Sequence, residues 1–135
     1  MASSSYDILF IDDDEVILLV TGEQLRKHGF SVLTAPDSSR ALALLENQVG
    51  LVVLDVNLGL DEDGVRVMEI LKHDHSDLPI IIYTGLPQDE PRIITMLKRG
   101  AICYISKSQP LPHLVFAVKT ILGHPGTAVS ELPPG

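Results

Sequence analysis

The chain has 135 residues, 45% of them hydrophobic, which is enough for one domain with a normal core and excludes disorder by composition. Lys and Arg number 10 against 18 acids, a formal net charge of −8, so direct nucleic-acid binding, which rests on neutralising phosphates, is not expected. The apolar stretches are broken by charges well short of the ~18–20 residues of a membrane span, and Met1-Ala2-Ser3-Ser4-Ser5 lacks the basic region and apolar core of a signal peptide.

Strand and helix signals alternate along the chain. A first strand is expected from Tyr6 to Asp12 and a first helix from Asp14 to Lys27, with Val16, Leu19, Val20 and Leu25 forming most of its inward stripe. His28-Gly29 ends that helix. A second strand covers Phe30 to Thr34, and a second helix, capped by Asp37 or Ser38, carries Ala41, Leu42, Leu44 and Leu45. The third strand is Leu51 to Val56, followed by a loop rich in Gly and acids from Gly59 to Gly64. Val65, Met68 and Leu71 mark the third helix, and Pro79 opens the fourth strand, Ile80 to Thr84. The fourth helix has Pro91 in its first turn, carries Ile93, Ile94 and Leu97, and stops at Arg99-Gly100. The fifth strand is Ala101 to Ser106, and the fifth helix runs from Pro110 or Leu111 to Leu122 with Leu114, Val115, Val118 and Ile121 inward. Five βα units with short connections imply a doubly wound parallel sheet. Residues 1–122 read as one domain, and 123–135, rich in Pro, Gly, Ser and Thr, as a flexible tail or the start of a linker.

The chemistry lies where apolar strands end. Asp12-Asp13-Asp14, Asp55, Thr84 and Lys107 each follow a run of residues suited to a buried parallel strand. Sites in open parallel sheets form beyond the carboxyl ends of the strands, so these residues are expected to converge. Asp14 and Glu15 read as helix-capping acids. Three consecutive Asp exceed what a cap needs, and Asp12, Asp13 and Asp55 together suit Mg²⁺, which accepts one or two carboxylates, waters and phosphate oxygens. Asp13 and Asp55 are candidate direct ligands, with Asp12 acting through water. Asp55 ends the most hydrophobic strand, where an unpaired carboxylate is costly. A carboxylate can also attack phosphorus to give an aspartyl phosphate. The Thr84 hydroxyl could donate to such a phosphate, with Gly85 leaving room, and Lys107 could pair with Asp55 or the phosphoryl group. The one cysteine, Cys103, excludes an internal disulfide, fits a reducing compartment, and reads as a small buried hydrophobe in a strand.

With Asp12-Asp13, Asp55, Thr84 and Lys107 in this order, the chain resembles the receiver domain of bacterial two-component response regulators over about Tyr6 to Leu122. The resemblance implies an α/β, flavodoxin-like, doubly wound five-stranded parallel sheet in order 2-1-3-4-5 with five flanking helices. It implies a cytoplasmic, Mg²⁺-dependent phosphoacceptor switch rather than an enzyme, with Asp55 taking a phosphoryl group from a histidine kinase or phosphotransfer protein and the domain then acting on a downstream protein target. Asn57 looks like the position whose backbone carbonyl ligates the metal, and Thr84 and Tyr104 like the switch pair. Homodimerisation through helices four and five is common in the family, and nothing in the sequence demands it.

Two features depart from the family pattern. Ser108 stands where the family usually has Pro after the Lys, often with a cis bond; a cis bond before a non-proline residue costs about 3–4 kcal/mol, so a trans bond or strain is expected there. The loop Gly59 to Gly64 lacks the usual Pro and looks about one residue longer. Two rival readings stand beside the resemblance. Asp12-Asp13-Asp14-Glu15-Val16 fits the first motif of haloacid-dehalogenase-like phosphatases, with Asp12 as nucleophile and Asp14 as acid/base, but Glu131 is the only acid after Lys107 and Asp55 would have no role. The other rival is a receiver-like binding module that is never phosphorylated.

Overall fold

Short apolar runs can be strands when both faces of their sheet are covered. In the computed structural model, which describes residues 4–59 and 63–123, strands and helices alternate without interruption. They are β1 (Ser5–Ile11), α1 (Glu15–Lys27), β2 (Val32–Ala35), α2 (Ser38–Leu44), β3 (Gln48–Leu54), α3 (Gly64–Asp74), β4 (Ile80–Thr84), α4 (Pro91–Lys98), β5 (Cys103–Ser106) and α5 (Leu111–Leu122). The sheet order is β2-β1-β3-β4-β5, with parallel pairing throughout, as expected. The tail reading for 123–135 lies, beyond Gly123, outside the described residues.

Side-chain alternation divides the strands between two cores. Leu9, Ile11, Val52, Leu54, Ile80 and Ile82 face the layer that holds Ala41 of α2, Met68 and Leu71 of α3, and Ile93 and Met96 of α4. Ile8, Phe10, Leu51, Val53, Ile81 and Tyr83 face Leu18 and Leu25 of α1 and Leu114, Val115 and Val118 of α5. The register sets the carboxyl ends of the central strands side by side: Ile11 pairs with Leu54, and Leu54 with Ile82.

Several sequence expectations shift. The inward face of α1 is not the expected stripe: Val16, Leu19 and Val20 are 67%, 64% and 55% exposed, and the buried residues are Leu18, Thr21, Gly22 and Leu25. That i, i+3, i+4, i+7 set includes two residues that are not apolar hydrocarbons, which hides the phase. Thr21 hydrogen-bonds Tyr83, and a Cβ on Gly22 would meet Thr34 Cγ2 at 3.6 Å, an ordinary contact, so this face lies close on the sheet without crowding. Leu42 and Ile94 are also exposed rather than inward, because α2 and α4 bury Ala41, Ile93 and Met96 instead. Among the strands, β2 and β5 each begin two residues later than expected, and β3 runs from Gln48 to Leu54 rather than from Leu51 to Val56. Ile121 is partly buried against the core. The caps fall where expected: Asp14 accepts from the Val16 and Ile17 amides, Asp37 accepts from the Arg40 amide, and Gly29 takes the positive φ of +94° after α1.

Candidate functional site

The carboxyl edge of the sheet brings the expected residues together. Asp12 follows β1 and is 0% exposed; Asp55 follows β3 and is 5% exposed; Thr84 ends β4 and is buried. Lys107 follows β5, held there by its own amide donating to the Thr84 carbonyl at 2.9 Å. Its ammonium donates to Asp55 Oδ2 at 2.9 Å and lies 2.6 Å from Asp12 Oδ2. The second contact is an ion pair without hydrogen-bond alignment, so Asp12 Oδ2 is a buried oxygen with no aligned donor. The other oxygens are occupied locally: the Asp14 amide donates to Asp12 Oδ1 at 2.9 Å, and the Val56 amide to Asp55 Oδ1 at 2.7 Å.

Burial pushes the Asp12 carboxyl above the usual carboxylate range, the nearby Asp55 charge adds to this, and Lys107 and the Asp14 amide oppose it. Burial alone would lower the Lys107 ammonium, yet its close contacts with the two carboxylates, Asp12 and Asp55, outweigh that and hold it above its ordinary value. One Lys therefore serves two acids, and the balance leaves a negative excess.

A metal fits that excess. Asp12, Asp13 and Asp55 each offer a carboxylate oxygen, and these lie within 4.8 Å of one another. The donors are all oxygen, one carboxylate, Asp13, is exposed, and one buried oxygen lacks an aligned donor, which together suit a hard divalent cation such as Mg²⁺. Asp14 is turned away to cap α1, as the sequence indicates.

The remaining candidates lie around this edge. Asn57 is exposed, two residues beyond Asp55, in an isolated antiparallel bridge to Asp63. Gly64 packs so closely on the strand end that a Cβ there would fall 2.4 Å from the Asp55 carbonyl oxygen. A Cβ on Gly85 would meet nothing within 4 Å, so the space beside Thr84 is open. Thr84 and Tyr104 are joined through Leu86, whose amide donates to Thr84 Oγ1 at 3.4 Å and whose carbonyl accepts from the Tyr104 hydroxyl at 2.6 Å. The Lys107–Ser108 bond is trans, and the Ser108 amide donates to Ser106 Oγ at 3.1 Å, a local turn in place of the proline. Arg92, in the first turn of α4, donates from Nη1 to Asn57 Oδ1 at 3.0 Å. Sequence reasoning missed this contact and the Leu86 link, because both depend on the β4–α4 connection returning over the strand ends.

A flavodoxin-like sheet that gathers an acidic pair, a buried Asp and a Lys at its carboxyl edge defines a narrow class of α/β domains. A family model of the response regulator receiver domain matches residues 8–119, and the chain belongs to that family. It is 35% identical over 118 residues to a putative NtrX-like response regulator of Rickettsia felis, covering 86% of this chain and 25% of the relative. It is 33% identical over 125 residues to the transcriptional regulatory protein PrrA of Mycobacterium tuberculosis, covering 92% of this chain and 53% of the relative. The chain thus spans about a quarter to a half of the length of these relatives. Among solved structures, the receiver domain of NtrX from Brucella abortus superposes with a TM-score of 0.79 at 29% identity, covering 87% of this chain and 98% of that one. A CheY-like receiver domain protein from Methanospirillum hungatei gives a TM-score of 0.79 at 28% identity, covering 90% and 95%.

Proposed function

We propose that this domain accepts a phosphoryl group on Asp55 from a histidine kinase or phosphotransfer protein, in a Mg²⁺-dependent step, and presents a changed surface to a downstream protein. The observation that carries this reading is the buried Asp55 carboxylate held by Lys107 beside two further acids at an open sheet edge. One carboxylate oxygen of Asp55 attacks phosphorus, the bond from phosphorus to the donor imidazole nitrogen breaks, and the electron pair leaves with the imidazole, which takes up a proton. Lys107 positions the Asp55 carboxylate and offers its charge to the phosphoryl oxygens. Asp12, Asp13, Asp55 and the Asn57 carbonyl would hold Mg²⁺, which neutralises charge on the transferring group when bound.

Phosphorylation adds about −1.5 to −2 charge and new acceptor oxygens. Thr84, at the same edge, is the hydroxyl that can turn toward them. Its movement would release the Leu86 amide, and Leu86 in turn holds the Tyr104 hydroxyl. This is the route from Asp55 to β5. Residues 1–122 are the receiver in this reading. The phosphatase alternative fits less well, since the acid/base it requires, Asp14, has its Oδ1 committed to two helix amides.

The test is incubation with acetyl phosphate and Mg²⁺, followed by intact-mass measurement. The wild type gains one phosphoryl group, and both Asp55→Asn and chelation of Mg²⁺ abolish the gain. Full labelling of Asp55→Asn would overturn the reading.

A further inference from the structure

The segment after Asp55 is closed on itself. Asn57 bridges Asp63, the Gly64 amide donates to the Val56 carbonyl at 2.7 Å, and Gly64 is pressed against the Asp55 backbone. Both ends of this closed loop meet one side chain from a different element. Arg92, in the first turn of α4, donates from Nη1 to Asn57 Oδ1 at 3.0 Å and sits 3.8 Å from Asp63 Oδ2. Its Nε donates to Glu90 Oε1 at 2.9 Å, and Glu90 Oε2 accepts from the Arg92 amide at 2.6 Å, so the guanidinium is braced by the residue that caps α4. A planar guanidinium can hold several acceptors at once in fixed geometry, which a Lys ammonium on a flexible stem cannot.

These contacts are partly exposed, and exposed ion pairs add little to stability. Their placement matters more. They join the loop that leaves the Asp55 strand to the start of α4, and coupling between sites is carried by such contiguous contacts where an element has two arrangements. We propose that Arg92 is a positioning residue that ties the loop after Asp55 to the first turn of α4, so that occupancy of Asp55 and the placement of α4 are linked through its guanidinium. This rests on Asp55 being the phosphoacceptor. It adds a route from Asp55 to α4 separate from the Thr84–Leu86–Tyr104 route to β5. A group seated at Asp55 shifts Val56 and Asn57, and Arg92 carries that shift to α4.

The experiment records backbone amide spectra of the full chain with Mg²⁺, before and after beryllofluoride, for the wild type, Arg92→Ala and Arg92→Lys. In the wild type, amides of Val56 and Asn57 and those of Ile93 and Ile94 all shift. In Arg92→Ala the Val56 and Asn57 shifts persist, while those of Ile93 and Ile94 fall by half or more. Arg92→Lys behaves like Arg92→Ala, and it carries the test alone should the alanine variant fail to fold. A purely structural role would lower the melting midpoint without separating the two sets of amides. Undiminished α4 shifts in either folded variant overturn the tie. A wild type whose Val56 and Asn57 amides ignore beryllofluoride contradicts the phosphoacceptor reading itself, so the two failures are distinguishable.

Discussion

Asp12 combines complete burial, a shared ammonium and one oxygen without an aligned donor, and burial holds its proton more tightly than usual. Substituting it with Asn removes charge from the candidate cation site while keeping its shape. Mg²⁺ affinity is expected to fall about tenfold or more by titration calorimetry, and an unchanged affinity would place the ion elsewhere. Gly64 is constrained by space: a Cβ would fall 2.4 Å from the Asp55 carbonyl oxygen, so backbone must move. Gly64→Ala is expected to cost about 1–3 kcal/mol in urea unfolding, the range for overpacking. Cys103 is half-buried, and burial raises its thiol pKa. A raised acid pKa means the fold favours the neutral thiol. That contribution is fully present below the unfolded thiol pKa of about 8.5 and is lost as pH rises from there toward the folded value. Alkylation of Cys103 by iodoacetamide at pH 8 should therefore run slower than that of the urea-unfolded chain, and equal rates would refute the burial argument.

At the scale of elements, α1 separates apolar type from inward position. Leu25 is fully buried, whereas Leu19 faces solvent. Leu25→Ala should cost about 2–5 kcal/mol in urea unfolding, and Leu19→Ser should change stability by no more than about 0.5 kcal/mol. Equal costs would restore the stripe of Val16, Leu19 and Val20. The contrast shows what the sequence makes legible. β1, β3 and β4 are readable because a sheet covered on both faces demands unbroken apolar runs, and Ile8 to Ile11, Leu51 to Leu54 and Ile80 to Ile82 supply them. The phase of α5 is readable because the residues it buries, Leu114, Val115 and Val118, are all apolar. The phase of α1 is not, because two of its four buried residues, Thr21 and Gly22, are not apolar hydrocarbons, and the hydroxyl partner of Thr21 lies on a strand distant in sequence. The site follows the same division. Asp12, Asp55, Thr84 and Lys107 are legible as polar residues ending apolar strands, whereas the Leu86 link and Arg92 arise from contacts between segments distant in sequence.

For the molecule as a whole, two helical layers bury both faces of the sheet and leave its carboxyl edge open, with acids in excess over the one Lys that reaches them. A ligand that binds only the folded state stabilises it by mass action. At a Mg²⁺ concentration of about 100 times Kd the gain is about 2.7 kcal/mol, read as a higher urea midpoint that chelation reverses. Among the described residues no helix is long and apolar enough to cross a membrane. The central claim is that Asp55, among the acids at this edge, receives the phosphoryl group. It is tested most directly by treating the chain with acetyl phosphate and Mg²⁺, trapping the acyl phosphate by borohydride reduction, and mapping the reduced residue by peptide mass spectrometry. The account predicts reduction at Asp55 alone; reduction at Asp12, the nucleophile of the phosphatase reading, or at no residue would contradict it.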